Sequence, residues 1–347
     1  MYNIILAFLT SLLLTYRVIP SIINVAISKK LYDIPDYRKA HTEIIPRLGG
    51  IGIFAGVLFS IILWCPFEYL GDLQYILSAF IIIFLIGAKD DLIPISPMKK
   101  LSVELFATGI LVFFANIRIT SFYGVLGIYQ IPYIWSIIIT KFVIIALINA
   151  FNLIDGVNGL AGTITVIFAF TFGYWFYKVD RMELAIVAFS TLGAVVAFLY
   201  YNFTPAKIFM GDTGSLLLGL VSAILAISFI EIDSMMVTSR FHINASPAFA
   251  IAVLIIPIFD TLRVMSVRVF KGKSPFYPDK GHIHHLLLDL GFSHLQTTFF
   301  LGIINIFVIY LVIKFQNLNI NIILILILGF MMLFTGGLIL LQKYKRK

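Results

Sequence analysis

The sequence predicts an all-α fold, a polytopic integral membrane bundle of about 11 transmembrane helices in a single domain over residues 1–347. Hydrophobic residues make up 61% of the chain and charged residues only 12%. Soluble domains are about 45–50% apolar and about 25% charged, so a water-soluble globule of this composition is excluded. The apolar residues also fall into stretches close to the roughly 20 residues that cross a bilayer as a helix.

The predicted spans follow one another with short connections, none of them long enough for a soluble domain. The first span lacks a basic start and is longer than the core of a signal peptide, so we expect it to be retained. The single cysteine, Cys65, excludes an internal disulfide framework and a cysteine-based metal cluster. The spans are 3–28, 48–64, 73–88, 101–119, 132–150, 159–177, 182–201, 214–231, 246–266, 296–315 and 319–341.

The basic residues predict the orientation of these spans. Of the 25 Lys and Arg residues, 18 lie in the C-terminal tail and in the loops after spans 1, 3, 5, 7 and 9. Lys and Arg accumulate on the cytoplasmic side of a membrane. We therefore expect the N-terminus outside, the C-terminus in the cytoplasm, and an inner (plasma) membrane location. The net charge of +8 then reflects topology and the lipid bilayer, and no nucleic-acid partner is expected.

Polar residues gather in the predicted cytoplasmic loops, at 29–50, 88–100, 149–159, 202–215 and 260–291. In the second of these loops, Asp90 and Asp91 are adjacent at the membrane boundary, and Lys100 follows. Neighbouring carboxylates repel each other and are costly to desolvate, so we interpret the pair as metal or proton chemistry. A helix-capping role would account for only one of the two residues.

The third and fourth loops hold short polar side chains beside glycines. Asn152 and Asp155 recur at a helical spacing before Gly156 and Asn158, which indicates a lined helix end, although a capped inter-helix turn is an alternative. The other loop holds Asn202, Lys207 and Asp212. Backbone N–H groups at a helix start favour an anion, and Asp212 favours a cation, so together they suit a metal-bound phosphate; a plain N-cap is the alternative.

The first and fifth loops supply cations. The run from Asp33 through Asp36, Arg38, Lys39 and His41 to Arg47 is either a basic anchor or a set of phosphate ligands.

The last loop continues from Asp260 through Asp279 and Lys280 to His282, His284 and His285. These histidines suit a substrate phosphate, an ordered loop or, less well, zinc. Gly272-Lys273-Ser274 is not a P-loop, because Val267 stands where that motif requires its first glycine.

Oxygen ligands surrounded by lysines and arginines suit Mg²⁺, with Mn²⁺ as a substitute, and phosphoryl transfer. A site at the lipid boundary suggests a lipid substrate.

The motifs that carry these residues resemble, in order and over residues 33 to 291, the polyprenyl-phosphate N-acetylhexosamine-1-phosphate transferases of glycosyltransferase family 4. They are Arg38-Lys39-x-His41 with Pro46-Arg47-x-Gly49-Gly50, Asp90-Asp91, Asn152-x-x-Asp155-Gly156-x-Asn158-Gly159, Pro205-Ala-Lys207-x-Phe-Met-Gly211-Asp212-Thr-Gly214-Ser and His282-x-His284-His285.

The resemblance implies that undecaprenyl phosphate attacks the β-phosphate of a UDP-N-acetylhexosamine at the cytoplasmic face and that UMP leaves. It implies Mg²⁺ as cofactor, held by Asp212 with Asn152 close by. The implied roles of the remaining residues are lipid-phosphate activation at Asp90 beside Asp91, phosphate binding by Lys100, and nucleotide-sugar contact by Arg47, Asp155, Gly156 and Asn158. His284 and His285 would bind the pyrophosphate or order the last loop, and Asn202, Lys207 and His282 are further substrate-binding candidates.

The motif forms favour the GlcNAc-1-phosphate branch, which starts an envelope glycan such as lipopolysaccharide. The branch transferring phospho-N-acetylmuramoyl-pentapeptide is the alternative, and it typically has an unbroken histidine triplet where Ile283 intervenes here. The sugar itself, a direct or covalent reaction, and a homodimer remain open. From different classes, a transporter of a polyanion or lipid-linked sugar and a binding subunit are also alternatives. The lack of internal repeats and the one-sided polar clusters argue against a transporter.

Overall fold

The computed structural model describes residues 1–31, 45–274 and 281–345, and its regular elements are helices. Within these residues there is no strand, only an isolated bridge between Ser121 and Gln130. This confirms the predicted all-α class. The helices are α1 (Tyr2–Ser28), α2 (Gly49–Trp64), α3 (Leu70–Leu92), α4 (Pro97–Phe113), α5 (Tyr133–Ile154), α6 (Leu160–Lys178), α7 (Met182–Asn202), α8 (Gly211–Met235), α9 (Ser246–Val253), α10 (Ile255–Phe270), α11 (Ile283–Asp289), α12 (His294–Phe315) and α13 (Ile320–Lys345).

Each predicted span overlaps one of these helices or, in one case, two. Among the described residues, eight helices are long and apolar enough to cross a membrane, or nine if the bent pair α9 and α10 counts as one span. Helices α2 and α4 have 16 and 17 residues, fewer than the roughly 20 of a straight span. The multi-pass architecture is thus confirmed, whereas the number eleven and the orientation of the termini stay predictions.

The span predicted at 246–266 is not continuous, which corrects the sequence-based prediction. Helices α9 and α10 meet at Leu254 with a bend of 81°. Pro257 lacks the N–H that would bond the carbonyl of Val253 four residues earlier. The Nδ2 group of Asn305 on α12 donates to that carbonyl instead, at 3.1 Å. A side chain from another helix therefore satisfies the backbone at the break.

Helix α8 lies at the centre of the bundle. Over an 18-residue stretch, 78% of its residues are buried, against 28% in the outer helices α1 and α13. Small residues allow neighbouring backbones to approach it, as expected for packing between membrane helices. A Cβ atom at Gly219 would lie 2.6 Å from the Cα atom of Ile148 on α5.

The N-terminal end of α8 is packed equally closely. A Cβ atom at Gly50 of α2 would lie 2.1 Å from the nitrogen of Gly214, and one at Gly87 of α3 would lie 2.6 Å from the Cα atom of Thr213. These glycines let α2 and α3 press their backbones against the first turn of α8. The polar residues near this turn are consequently held on rigid, closely packed elements.

Candidate active site

Asp91, at the end of α3, binds the N-terminus of α8. Its Oδ1 accepts a hydrogen bond from the backbone N–H of Asp212 at 2.7 Å, and its Oδ2 accepts from the N–H and the hydroxyl of Thr213 at 2.9 and 2.5 Å. The first N–H groups of a helix have no partner within the helix, so an incoming carboxylate satisfies them. Asp91 thereby fixes the position of Asp212.

This contact changes the interpretation of the α8 N-terminus. The sequence suggested that its N–H groups receive a substrate phosphate, but those of Asp212 and Thr213 already donate to Asp91. Gly211 makes the approach possible, because it has a φ of +73° and a Cβ there would lie 2.6 Å from the Asp91 carboxylate. A catalytic role for Asp91 stays a prediction, and its geometry is that of a helix cap.

Asp90 and Asp212 meet at one ammonium group. The Nζ atom of Lys100, on α4, contacts the Oδ2 atom of Asp212 and lies 3.5 Å from the Oδ2 atom of Asp90. The other oxygen of Asp90 accepts the backbone N–H of Ile95 at 2.6 Å. Two carboxylates thus share one cation, and the ionised trio has one negative charge in excess. This arrangement attracts a further cation.

Asn152, on α5, adds an amide to the same place. Its Nδ2 group donates to the Oδ1 atom of Asp212 at 2.9 Å and to the hydroxyl of Ser215 at 3.0 Å. Helices α3, α4, α5 and α8 therefore bring Asp90, Lys100, Asn152 and Asp212 together at one end of the bundle. Sequence reasoning singled out these four residues, but Ser215 only as part of a motif.

Glu104 is a residue that sequence reasoning missed. It lies on α4 and is 1% exposed, and its Oε2 atom accepts from the Nδ2 group of Asn149 at 3.1 Å. The signal was available in the sequence, because Glu104 is an acid inside the predicted span 101–119, and acids in spans are costly and usually functional.

Asp155 ends α5 close to the same carboxylates. Burial and the neighbouring carboxylates of Asp212 and Asp91 raise the pKa of Asp155 well above its usual value, and the positive charge of Arg47 opposes this shift. Arg47 lies just before α2, and its effect on the pKa of Asp155 shows that it is within electrostatic reach of the site. The structure brings both residues to the end of the bundle where the sequence predicted them.

The histidine segment is anchored to α10. Asp260, which is 1% exposed, accepts from Arg263 at 3.0 Å and from the backbone N–H of Ile283 at 2.9 Å, and its other oxygen lies 2.9 Å from the Nδ1 atom of His282. The rings of His282 and His284 are stacked, with centroids 5.5 Å apart. Asp260 therefore orders the start of α11.

His284 reaches the α5–α6 turn. A Cβ atom at Gly156 would lie 2.9 Å from its Nε2 atom. Burial lowers the pKa of His284 to about 3, although Asp260 opposes the shift. At neutral pH the imidazole is uncharged and can offer hydrogen bonds, and the two predicted roles, binding of phosphate and ordering of the loop, both stay predictions. The His285 ring contacts that of His284, with centroids 4.4 Å apart.

Asn202 and Asn158 brace the surrounding loops. Asn202 is 3% exposed, accepts from the N–H of Gly159 at 2.6 Å and donates to the carbonyl of Ile208 at 2.8 Å. The backbone carbonyl of Asn158 accepts from the hydroxyl of Thr298 at 2.9 Å. The carbonyl oxygen and the NH₂ group of the Asn202 side chain both have hydrogen-bond partners within the protein. Lys207 is exposed in the loop that Asn202 holds.

Some candidates remain without a structural account. Asp33, Asp36, Arg38, Lys39 and His41 lie outside the described residues, as do Asp279 and Lys280. Within residues 1–31, 45–274 and 281–345, no three His, Cys, Asp or Glu side chains stand together so as to hold a metal ion by themselves. The described histidines therefore give no support to a zinc site. Magnesium differs from zinc here, since it takes one or two carboxylates and completes its shell with water and substrate phosphates.

The helical bundle and its site define a multi-pass membrane protein whose carboxylates, amides and cations meet at one end of closely packed helices. The sequence profile of glycosyl transferase family 4 matches residues 73–230, from α3 to α8. These residues include Asp90, Lys100, Asn152 and Asp212. Together with the relatives described next, this match shows that the chain belongs to glycosyl transferase family 4.

Three relatives are similar over most of their length. The probable undecaprenyl-phosphate N-acetylglucosaminyl 1-phosphate transferase of Bacillus subtilis (strain 168) is 33% identical over 302 residues, which cover 85% of this chain and 80% of the relative. The undecaprenyl-phosphate alpha-N-acetylglucosaminyl 1-phosphate transferase of Yersinia pestis is 30% identical, covering 79% and 73%. That of Escherichia coli (strain K12) is 31% identical, covering 77% and 71%.

Proposed function

We propose that this protein transfers N-acetylglucosamine 1-phosphate from UDP-N-acetylglucosamine to undecaprenyl phosphate and releases UMP. The observation that carries the proposal is the meeting of Asp90 and Asp212 at the ammonium group of Lys100, at one end of a membrane bundle. The names of the relatives supply the acceptor and the sugar. UDP as the carrier follows from the family resemblance.

The reaction needs one bond made and one broken. An oxygen of the lipid phosphate bonds to the β-phosphorus of the nucleotide sugar, the bond from that phosphorus to the bridging oxygen breaks, and UMP leaves with this oxygen. Asp90 accepts the proton of the lipid phosphate or positions it, while Lys100 and Arg47 neutralise phosphate charge. Such charge neutralisation and positioning supply most of the catalysis in phosphoryl transfer.

Mg²⁺ is the cofactor that this proposal includes, with Mn²⁺ as a substitute. Asp212 and Asn152 would hold it, and the donor set fits, because these are hard oxygen ligands and an ammonium group already contacts Asp212. When bound, the ion neutralises charge on the transferring phosphates. The protein contributes few carboxylates of its own, so substrate phosphates would complete the shell.

The site belongs to the cytoplasmic face of the inner membrane in this proposal. The bias of the basic residues supports this side, and a nucleotide sugar is a soluble donor that reaches the protein from the cytoplasm. The other end of α8 would then face outward. Initiation of an envelope glycan is the role that fits such a lipid product.

The test uses purified protein with undecaprenyl phosphate, a UDP-sugar and Mg²⁺, and measures UMP release. UDP-N-acetylglucosamine should support turnover, while chelation of divalent cations should abolish it. UDP-N-acetylgalactosamine and UDP-N-acetylmuramoyl-pentapeptide are compared as donors, because they separate the sugar and the family branch. Exchange of radiolabelled UMP into the donor checks the same chemistry in reverse.

Two substitutions in the site make the test specific. Asp212→Ala and Asp90→Asn should both lose activity, and Glu231→Gln serves as a control at the opposite end of α8. Unchanged rates in both site variants would refute the proposal. Flux of a sugar phosphate across proteoliposomes without UMP release would identify a transporter instead.

A further inference from the structure

Lys100 occupies the place that the proposed ligands need. Its ammonium group contacts Asp212 and lies 3.5 Å from Asp90. A divalent cation on the Asp212 carboxylate and an ammonium group on the same carboxylate repel each other. Asp90 then remains beside the ammonium group, but its other oxygen already accepts the backbone N–H of Ile95, so a further anion nearby would help to keep Lys100 within the site when the cation enters.

Glu104 has the position of such an anion. It follows Lys100 by four residues on α4, so the two side chains share one face of the helix. The two charges also interact electrostatically. The Glu104 side chain is 1% exposed, which keeps the pair away from solvent screening.

Glu104 is only half satisfied in the structure. Its Oε2 atom accepts from the Nδ2 group of Asn149, whereas its Oε1 atom is buried without a hydrogen-bond partner among the described residues. An unpartnered buried oxygen of a carboxylate is costly and calls for an explanation. One explanation is that a hydrogen-bond donor reaches the Oε1 atom of Glu104 in another state of the site. Lys100 is a cation within reach, because it lies one turn earlier on the same helix.

We propose that Glu104 is a positioning residue that accepts the Lys100 ammonium group when this group leaves Asp212 to an incoming divalent cation. Lys100 then stays beside the substrate phosphates, while Asn149 holds the other oxygen of Glu104 in place. The inference rests on the proposed function, because it assumes a divalent cation at Asp212. It assigns no role to Glu104 in the reacting bonds themselves.

The test measures how Mg²⁺ alone raises the unfolding temperature of the purified, substrate-free protein. Four forms are compared: the native chain, Glu104→Gln, Lys100→Met and the double variant. Glu104→Gln should raise the Mg²⁺ concentration at half-maximal stabilisation by about fivefold, the lower end of typical couplings between sites. The reason is that Asp90 is then the one other carboxylate beside Lys100 in the described part of the chain, so its ammonium group continues to compete at Asp212.

The Lys100→Met variant tests whether Glu104 acts through Lys100. Lys100→Met by itself should lower the half-maximal Mg²⁺ concentration, because the competing ammonium group is gone. Adding Glu104→Gln to it should change the concentration by less than about twofold, since the two residues act as a pair. An equal shift in both backgrounds would mean that Glu104 acts by charge or by general structure, and this result, like no shift at all, would overturn the inference.

Two further variants serve as controls. Glu231→Gln removes a carboxylate at the other end of α8 and should leave the Mg²⁺ response unchanged. If Glu104→Gln does not fold, Glu104→Asp replaces it, because its carboxylate is shorter by one methylene and should show the same dependence on Lys100. A native protein that does not respond to Mg²⁺ contradicts the proposed function and this inference with it, whereas a response without coupling contradicts the inference alone.

Discussion

Both ends of α8 have acids, but only at one end do two carboxylates share a cation. At the far end, the Oδ1 atom of Asp233 accepts the backbone N–H of Ile243 at 3.0 Å, and its Oδ2 atom lies 3.0 Å from the Nδ1 atom of His242. Glu231 accepts from the backbone and the hydroxyl of Thr120 at 2.9 and 2.6 Å. Each acid there has partners of its own.

At the near end, Asp90 and Asp212 compete for the ammonium group of Lys100. An excess of negative charge there favours the binding of a further cation. The comparison teaches that the number of acids does not identify a site in this bundle. What identifies it is that two carboxylates share one ammonium group.

The largest expected effect is at the near end. Asp212→Asn keeps the shape of the side chain and removes its charge, so UMP release should fall by about 10²–10³-fold, as for other preorganised electrostatic contacts. The unfolding temperature without Mg²⁺ should change little, because the amide still accepts a hydrogen bond. If the Asp212→Asn variant released UMP at a rate within twofold of native, the two ends of α8 would not differ in function as we propose.

Asp91→Ala should affect both activity and stability. It removes three hydrogen bonds from the first turn of α8, and loss of a helix cap costs about 1–2 kcal/mol of stability. Activity should fall as well, since Asp212 is then less well positioned. Asp91→Asn keeps part of the cap and should be closer to native in both measurements. A variant with native unfolding but no activity would favour a direct catalytic role.

Asp233→Ala should show the opposite pattern at the far end. Removing the buried carboxylate leaves the backbone N–H of Ile243 without its acceptor, and an unsatisfied buried donor costs about 1–3 kcal/mol, so the unfolding temperature should drop clearly. The rate per folded molecule should stay within about twofold of native, because the site is at the other end of α8. His242→Ala is the matched variant, and it should be milder because His242 is less buried than Asp233. Lost turnover in folded Asp233→Ala would show that the ends are coupled.

The fold was largely predictable because bilayer thickness sets a length that hydropathy reveals directly. The convergence of Asp90, Lys100, Asn152 and Asp212 was predictable too. In a chain with 12% charged residues, polar side chains near span ends stand out against the apolar background.

The remaining features depend on contacts between distant segments. That Asp91 caps α8 requires α3 to end beside Gly211, which no local pattern specifies. The break at Leu254 requires Asn305 from α12, which donates to the carbonyl of Val253 that Pro257 leaves open and also to that of Ala252. Glu104 was overlooked for another reason, since it stood within an apolar stretch that was interpreted as a simple span.

The smallest expected effect is a pH dependence from His284, next to the near end. Burial holds its pKa at about 3 in the folded protein, whereas an unperturbed histidine titrates near about 6.5. Between these two values the unfolded chain binds the proton and the folded chain does not. Stability therefore falls as the pH drops from about 6.5 towards 3, and it is insensitive to this group at higher pH.

His284→Gln should remove that part of the pH dependence. The unfolding temperatures of the two proteins, measured from pH 8 to pH 4, should run parallel above about pH 7 and converge or cross below about pH 6, where only the native chain loses stability through this histidine. Parallel curves over the whole range would mean that His284 is charged when folded. It would then act as a cation towards phosphate, and Lys100 and Arg47 would contribute a smaller share of the phosphate binding at the near end.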